Sequence, residues 1–90
     1  MIDLNELIET ATRNRDSGAL SAYNSVMKRA DRRMDMPGPR KGAPLSQNEL
    51  VKLVREEIKE RQESNEYIRP SDTAYATNQY IISVLSKIQP

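Results

Sequence analysis

Six basic side chains fall within the fourteen residues "KRADRRMDMPGPRK", and phosphate binding is the chemistry that such a cluster could perform. The segment, residues 28–41, also contains two aspartates and has a net charge of +4, in a chain whose net charge is +1. Local positive charge favours sequence-independent binding of nucleic-acid phosphates, because each contact releases counterions. The candidate contact residues are Lys28, Arg29, Arg32, Arg33, Arg40 and Lys41.

A solvated surface is the alternative interpretation of this segment, because the helix face opposite a core is usually charged. No aromatic residue is interleaved with the cations to stack on bases. A contact with a protein partner is a further alternative for these charges. Three tyrosines are further candidates for a recognition surface, with core packing as their alternative: Tyr67, Tyr75 and Tyr80.

The sequence offers few side chains suited to catalysis or to metal binding. The chain has no histidine and no cysteine, which removes the commonest general base and the thiolate nucleophile. Glutamates recur between residues 56 and 66, where helical i,i+4 ion pairs are a better interpretation than a metal site. We therefore expect no catalytic residue, no metal and no cofactor. The expected ion pairs are Lys52–Glu56, Lys59–Glu63 and Glu57–Arg61.

Helical periodicity accounts for the whole chain, and no strand alternation of useful length occurs. It predicts one all-α domain over residues 1–90, a small four-helix bundle-like fold. The helices are expected near residues 3–16, 18–35, 46–67 and 72–87, with Gly18 supplying backbone freedom at the first bend. The second helix has an apolar stripe within an arc of about 80°, which turns its four cations outward. That stripe is Leu20, Tyr23, Met27, Ala30 and Met34.

Capping residues and prolines set the boundaries of these helices. Pro37 and Pro39 end the second helix, and a Pro/Gly loop occupies residues 36–45. Ser46 and Glu49 form a capping box at the start of the third helix. Asn78 interrupts the apolar stripe of the fourth helix, and this predicts either a buried polar contact or an edge position.

The composition favours a soluble, cytoplasmic protein. Acidic residues occupy the N-terminus, where a signal peptide needs a basic start and an apolar core. No apolar run approaches the ~20 residues of a membrane span. The absence of cysteine fits a reducing compartment.

Two segments resemble the YqeY-like family, whose helical domain is also appended to the B subunit of glutamyl/aspartyl-tRNA amidotransferase (GatB). The first, "ATRNRDSGALSAYNSVMKRA", is similar to the family pattern at Ala11, Arg13, Asn14, Arg15, Asp16, Leu20 and Ser21. The second is "PLSQNELVKLVREEIKERQES". It is similar to the pattern at Leu45, Ser46, Glu49, Glu57, Ile58, Lys59, Arg61 and Ser64.

The resemblance implies a non-catalytic module, since the amidotransferase domain helps to hold tRNA while other domains perform the chemistry. It adds Lys59 and Arg61 to the expected contacts with tRNA or the tRNA-processing machinery. In one alternative, Lys59, Arg61 and Ser64 tie the third helix to the fourth. In another, the protein is an interaction adaptor that docks on a larger complex without nucleic-acid contact. "IRPSD" shortens the family's turn before the fourth helix, and the second family domain does not follow, which indicates a one-domain version.

Overall fold

A computed structural model describes residues 1–38 and 42–89 of the chain. It contains four helices and, within those ranges, no strand: α1 (Leu4–Arg13), α2 (Ser17–Met34), α3 (Gln47–Asn65) and α4 (Thr73–Ile88). The predicted all-α, bundle-like fold is confirmed, with helix ends within three residues of the expected positions. Part of the predicted 36–45 loop lies outside the described residues, as do Arg40 and Lys41.

The second helix lies at the centre of the bundle. The helices α1, α3 and α4 all pack on α2, and α3 also packs on α4. The largest fully buried side chains belong to these central helices and are Val26, Val54, Ile81 and Leu85. None of the helices in the described part of the chain combines the length and apolar character that a bilayer crossing requires.

The buried face of α2 is displaced from the predicted stripe. Leu20, Met27 and Met34 are only half-buried. Because α2 has three neighbouring helices, it buries a wider arc than a surface helix does. Small residues beside the predicted stripe, Ala19 and Ala22, let those neighbours approach closely. This displacement brings the position of Arg29 to the edge of the core. The buried residues of α2 are Ala19, Ala22, Tyr23, Val26 and Ala30.

The predicted capping box is present at the start of α3. The Glu49 backbone N–H donates to Ser46 Oγ at 3.2 Å, and the Ser46 N–H donates to Glu49 Oε1 at 3.1 Å. Nearby, Gln47 ties the N-terminus of the chain to α3. The Ile2 N–H donates to Gln47 Oε1 at 2.7 Å, and Gln47 Nε2 donates to the Ile2 carbonyl at 2.8 Å.

The role predicted for Gly18 is wrong. The residue with a left-handed backbone between α1 and α2 is Arg15, at φ 54°, whereas Gly18 lies inside the first turn of α2. Its missing side chain instead makes room for α4, because a Cβ atom there would lie 2.4 Å from Cδ2 of Tyr80. A close helix contact, rather than a bend, therefore favours glycine at this position.

Candidate functional site

A polar groove of about 310 Å³ lies between α2 and α3. It brings together four of the predicted contact residues, three from the basic segment on α2 and one, Arg61, from α3. Two carboxylates share the groove with these four cations, so its lining is net positive. The lining residues are Ser25, Lys28, Arg29, Arg32, Glu57, Glu60, Arg61, Ser64 and Asn78.

A buried carboxylate organises the groove. The side chain of Glu57 is only 8% exposed, and each of its oxygens accepts a hydrogen bond from a different arginine. Arg29 Nε donates to Oε1 at 3.3 Å, and Arg61 Nε donates to Oε2 at 3.2 Å. Burial strengthens these charge-assisted bonds, because little water competes with them. Glu57 therefore holds one arginine of α2 and one of α3 in fixed positions.

The prediction that Arg29 faces outward is wrong. Its side chain is 18% exposed and forms an ion pair with Glu60 as well as with Glu57. Burial lowers the pKa of the Arg29 guanidinium, but the hydrogen bonds and charges of Glu60 and Glu57 outweigh burial and raise that pKa above its usual value. Arg29 has this position because the buried face of α2 is displaced from the predicted stripe. Arg29 is not a free phosphate contact in this structure.

Arg61 connects three helices. Its Nη1 donates to Asn78 Oδ1 on α4 at 2.9 Å, and its Nη2 donates to Ser25 Oγ on α2 at 3.2 Å. Asn78 Nδ2 in turn donates to Asn65 Oδ1 at 2.9 Å. One alternative assigned Lys59, Arg61 and Ser64 to tying α3 to α4, and of these three residues Arg61 makes that contact. Asn78 makes a buried polar contact, which is one of the two roles predicted for it.

Lys28 and Arg32 are the exposed cations of the groove. They lie one turn apart on α2, line the groove together and are exposed to solvent. Because neighbouring side chains at this spacing lie on one helix face, a single ligand can reach both.

The other predicted contacts are dispersed. Lys59 is exposed but does not line the groove. Arg33 is half-buried, and its Nη1 donates to Met36 Sδ at 3.4 Å. These two residues therefore do not belong to the site that the geometry assembles.

The glutamates of α3 differ from the solvated ladder that the sequence predicted. The Glu57–Arg61 pair is formed, yet Glu57 is buried rather than solvated. In addition, Glu57 and Glu60 form ion pairs with Arg29 of α2, which the i,i+4 spacing within α3 could not indicate. Across residues 1–38 and 42–89, no group of three or more acidic, histidine or cysteine side chains is arranged to hold a metal ion.

A second cavity, of about 500 Å³, lies between α1, the start of α2 and the end of α4. Its lining has three carboxylates, Asp3, Glu6 and Asp16, and one basic side chain, Lys87, so the charge of its side chains is opposite to that of the groove. A site for phosphate is therefore favoured at the α2–α3 groove and disfavoured here.

Asp16 caps α2 and also contacts α4. Tyr80 Oη donates to Asp16 Oδ2 at 2.6 Å, and the Ala19 N–H donates to Asp16 Oδ1 at 3.0 Å. These bonds lower the pKa of Asp16, and the bond to Asp16 raises the pKa of Tyr80. Of the other tyrosines, Tyr75 is half-buried. Tyr67 is 89% exposed.

The residues that match the YqeY-like pattern are spread over the fold, and several of them support its structure. Leu20 and Ile58 pack against the core, Asn14 ends α1 and Ser21 is exposed. Ser64 lines the groove.

The fold and the groove thus define a small all-α protein with a basic groove between two helices. No protein-family model, curated protein or solved structure matches the chain. The YqeY-like resemblance stays a prediction from the two sequence segments.

Proposed function

We propose that this protein is a non-catalytic helical module that binds RNA, with tRNA as the expected ligand, through the groove between α2 and α3. The observation that carries the proposal is the convergence of Lys28, Arg29, Arg32 and Arg61 on one groove. The expected site is smaller than the patch that the sequence suggested.

The cations divide into two kinds of contribution. Lys28 and Arg32 are exposed and can exchange water and counterions for phosphate oxygens, which drives phosphate binding. Arg29 and Arg61 are held by Glu57 at the back of the groove. Their two charges are offset by those of Glu57 and Glu60, so the free positive charge of the groove comes from Lys28 and Arg32. Because both arginines are already ordered, they do not add to the entropic cost of binding a ligand.

The sequence supports a binding role over catalysis. A chain without histidine or cysteine lacks the side chains that most often perform acid–base and nucleophilic chemistry. The resemblance to the tRNA-holding domain of the amidotransferase supports tRNA as the ligand.

Titration with fluorescently labelled tRNA tests the proposal. The double variant K28A/R32A should lose about tenfold or more in affinity at low salt, because two free phosphate contacts disappear. The slope of log K against log salt should fall by about one to two, since each lost contact releases one counterion fewer.

The matched control is R13A/K52A, which removes the same charge from exposed positions outside the groove. Its affinity should stay within about twofold of the wild type once net charge is accounted for. Equal losses in both double variants would show a diffuse charge effect without a groove site. The absence of tRNA binding at low salt would refute the proposal.

An interaction adaptor is the second candidate function, and the exposure of Tyr67 favours it. Tyrosine is enriched in protein interfaces, where its ring is buried and its hydroxyl stays hydrated. Such an adaptor would bind its protein partner in a salt-tolerant manner. The K28A/R32A substitution would leave that binding unchanged, which distinguishes the two candidates.

A further inference from the structure

The guanidinium of Arg29 contacts two carboxylates of very different exposure. The Glu57 side chain is 8% exposed and is fixed by a second arginine, whereas the Glu60 side chain is 69% exposed. Arg29 Nη2 donates to Glu60 Oε2, and Nη1 lies 4.0 Å from an oxygen of Glu56. The groove-facing end of Arg29 is therefore covered by a side chain that can return to water at little cost.

We propose that Glu60 occupies, in the free protein, the place on Arg29 that a phosphate group takes when a ligand binds. The subsite would consist of the Arg29 guanidinium with Lys28 and Arg32 beside it. Glu57 would keep its contacts throughout, because it is buried and shared with Arg61. The phosphate chemistry is common to an RNA phosphodiester and to free phosphate; RNA as the source rests on the proposed function.

The exchange favours phosphate on physical grounds. Arginine binds phosphate oxygens through paired N–H donors, and the two exposed cations add contacts that they do not make with Glu60 in the structure. The ion pair that is broken has one exposed partner, and such pairs contribute little to stability. Glu60 thus acts as an internal competitor that weakens phosphate binding without preventing it.

Titration with inorganic phosphate, followed by NMR of the Arg29 Nε–H, tests the subsite. The Nε–H is held by Glu57, so its resonance reports on Arg29 in each variant. E60Q removes the competing charge and should lower the phosphate concentration at half-saturation by about two- to fivefold, the equivalent of an exposed ion pair. E63Q is the matched control, because it makes the same charge change on an exposed part of α3 outside the groove. Equal effects of E60Q and E63Q, or no response of Arg29 to phosphate in any of the three proteins, would overturn the subsite.

A parallel titration with tRNA separates the subsite from the proposed function. Tighter tRNA binding by E60Q than by E63Q supports both. A selective response to phosphate without tRNA binding upholds the subsite and overturns the RNA proposal. Binding of tRNA with equal gains in E60Q and E63Q overturns the subsite and upholds the RNA proposal. Circular dichroism melts of the two variants confirm that both are folded.

Discussion

At the scale of single residues, Glu57 is a buried carboxylate held from two sides. A buried carboxylate is costly unless its charge is paired and its oxygens are hydrogen-bonded. Glu57 meets both conditions by binding Arg29 and Arg61. Its two partners are also partly buried, and they lose a common acceptor if it is removed.

The substitution E57Q should therefore destabilise the fold by about 2–3 kcal/mol. The amide keeps the shape of the side chain but leaves two arginines without their shared negative charge, and breaking a buried ion pair from one side is strongly destabilising. Urea denaturation at neutral pH measures the change. E63Q serves as the control and should cost less than about 0.5 kcal/mol. Equal stability of E57Q and wild type would show that the network contributes nothing to folding.

At the scale of helices, the contact between α2 and α4 depends on a missing side chain. Gly18 lets the ring of Tyr80 lie against the first turn of α2, where the Tyr80 hydroxyl donates to Asp16. An alanine at position 18 would push the ring away and break this hydrogen bond. The same substitution in an isolated helix would be stabilising, because glycine has a low helix propensity.

The sign of the effect of G18A thus depends on Tyr80. In the wild-type background, G18A should destabilise the fold by about 1 kcal/mol, a cost typical of overpacking. In a Y80A background, the same change should stabilise it by a few tenths of a kcal/mol or more, through helix propensity. A thermodynamic double-mutant cycle measures both values. The same sign in both backgrounds would contradict the close contact.

At the scale of the whole molecule, α1 is the least connected helix. It packs on α2 and not on α3 or α4 within the described structure, and Gln47 joins the segment before it to α3 through two hydrogen bonds with Ile2. Segments with few contacts open locally at a lower free energy than the core does. Gln47 is therefore expected to control the opening of α1.

The substitution Q47A should accelerate amide hydrogen exchange in α1 by about thirtyfold, because it removes two hydrogen bonds that contribute about 1 kcal/mol each, and ~1.4 kcal/mol corresponds to a factor of ten. Exchange in the centre of α2, α3 and α4 should change much less. Q62A, at an exposed position on α3, is the control and should leave exchange in α1 unaltered. Uniform acceleration throughout the chain would show that α1 does not open independently.

The helices themselves follow from local sequence. Capping residues such as Ser46, together with the apolar period, act within a few residues of one another, so they specify the start and the type of each helix without reference to the rest of the fold. The α-helical class and the four elements were predictable for this reason. The buried role of Asn78 was predictable only as one of two alternatives.

The groove was decided by tertiary structure. The arc of α2 that is buried depends on how many helices surround α2. The spacing of apolar residues within α2 does not specify the number of its neighbours. The central position of α2 placed Arg29 beside Glu57, which lies 28 residues away in the sequence. Arg29, which the sequence placed in solvent, forms an internal ion pair instead. Pairing between helices depends on distance in space, whereas sequence patterns report only separation along the chain.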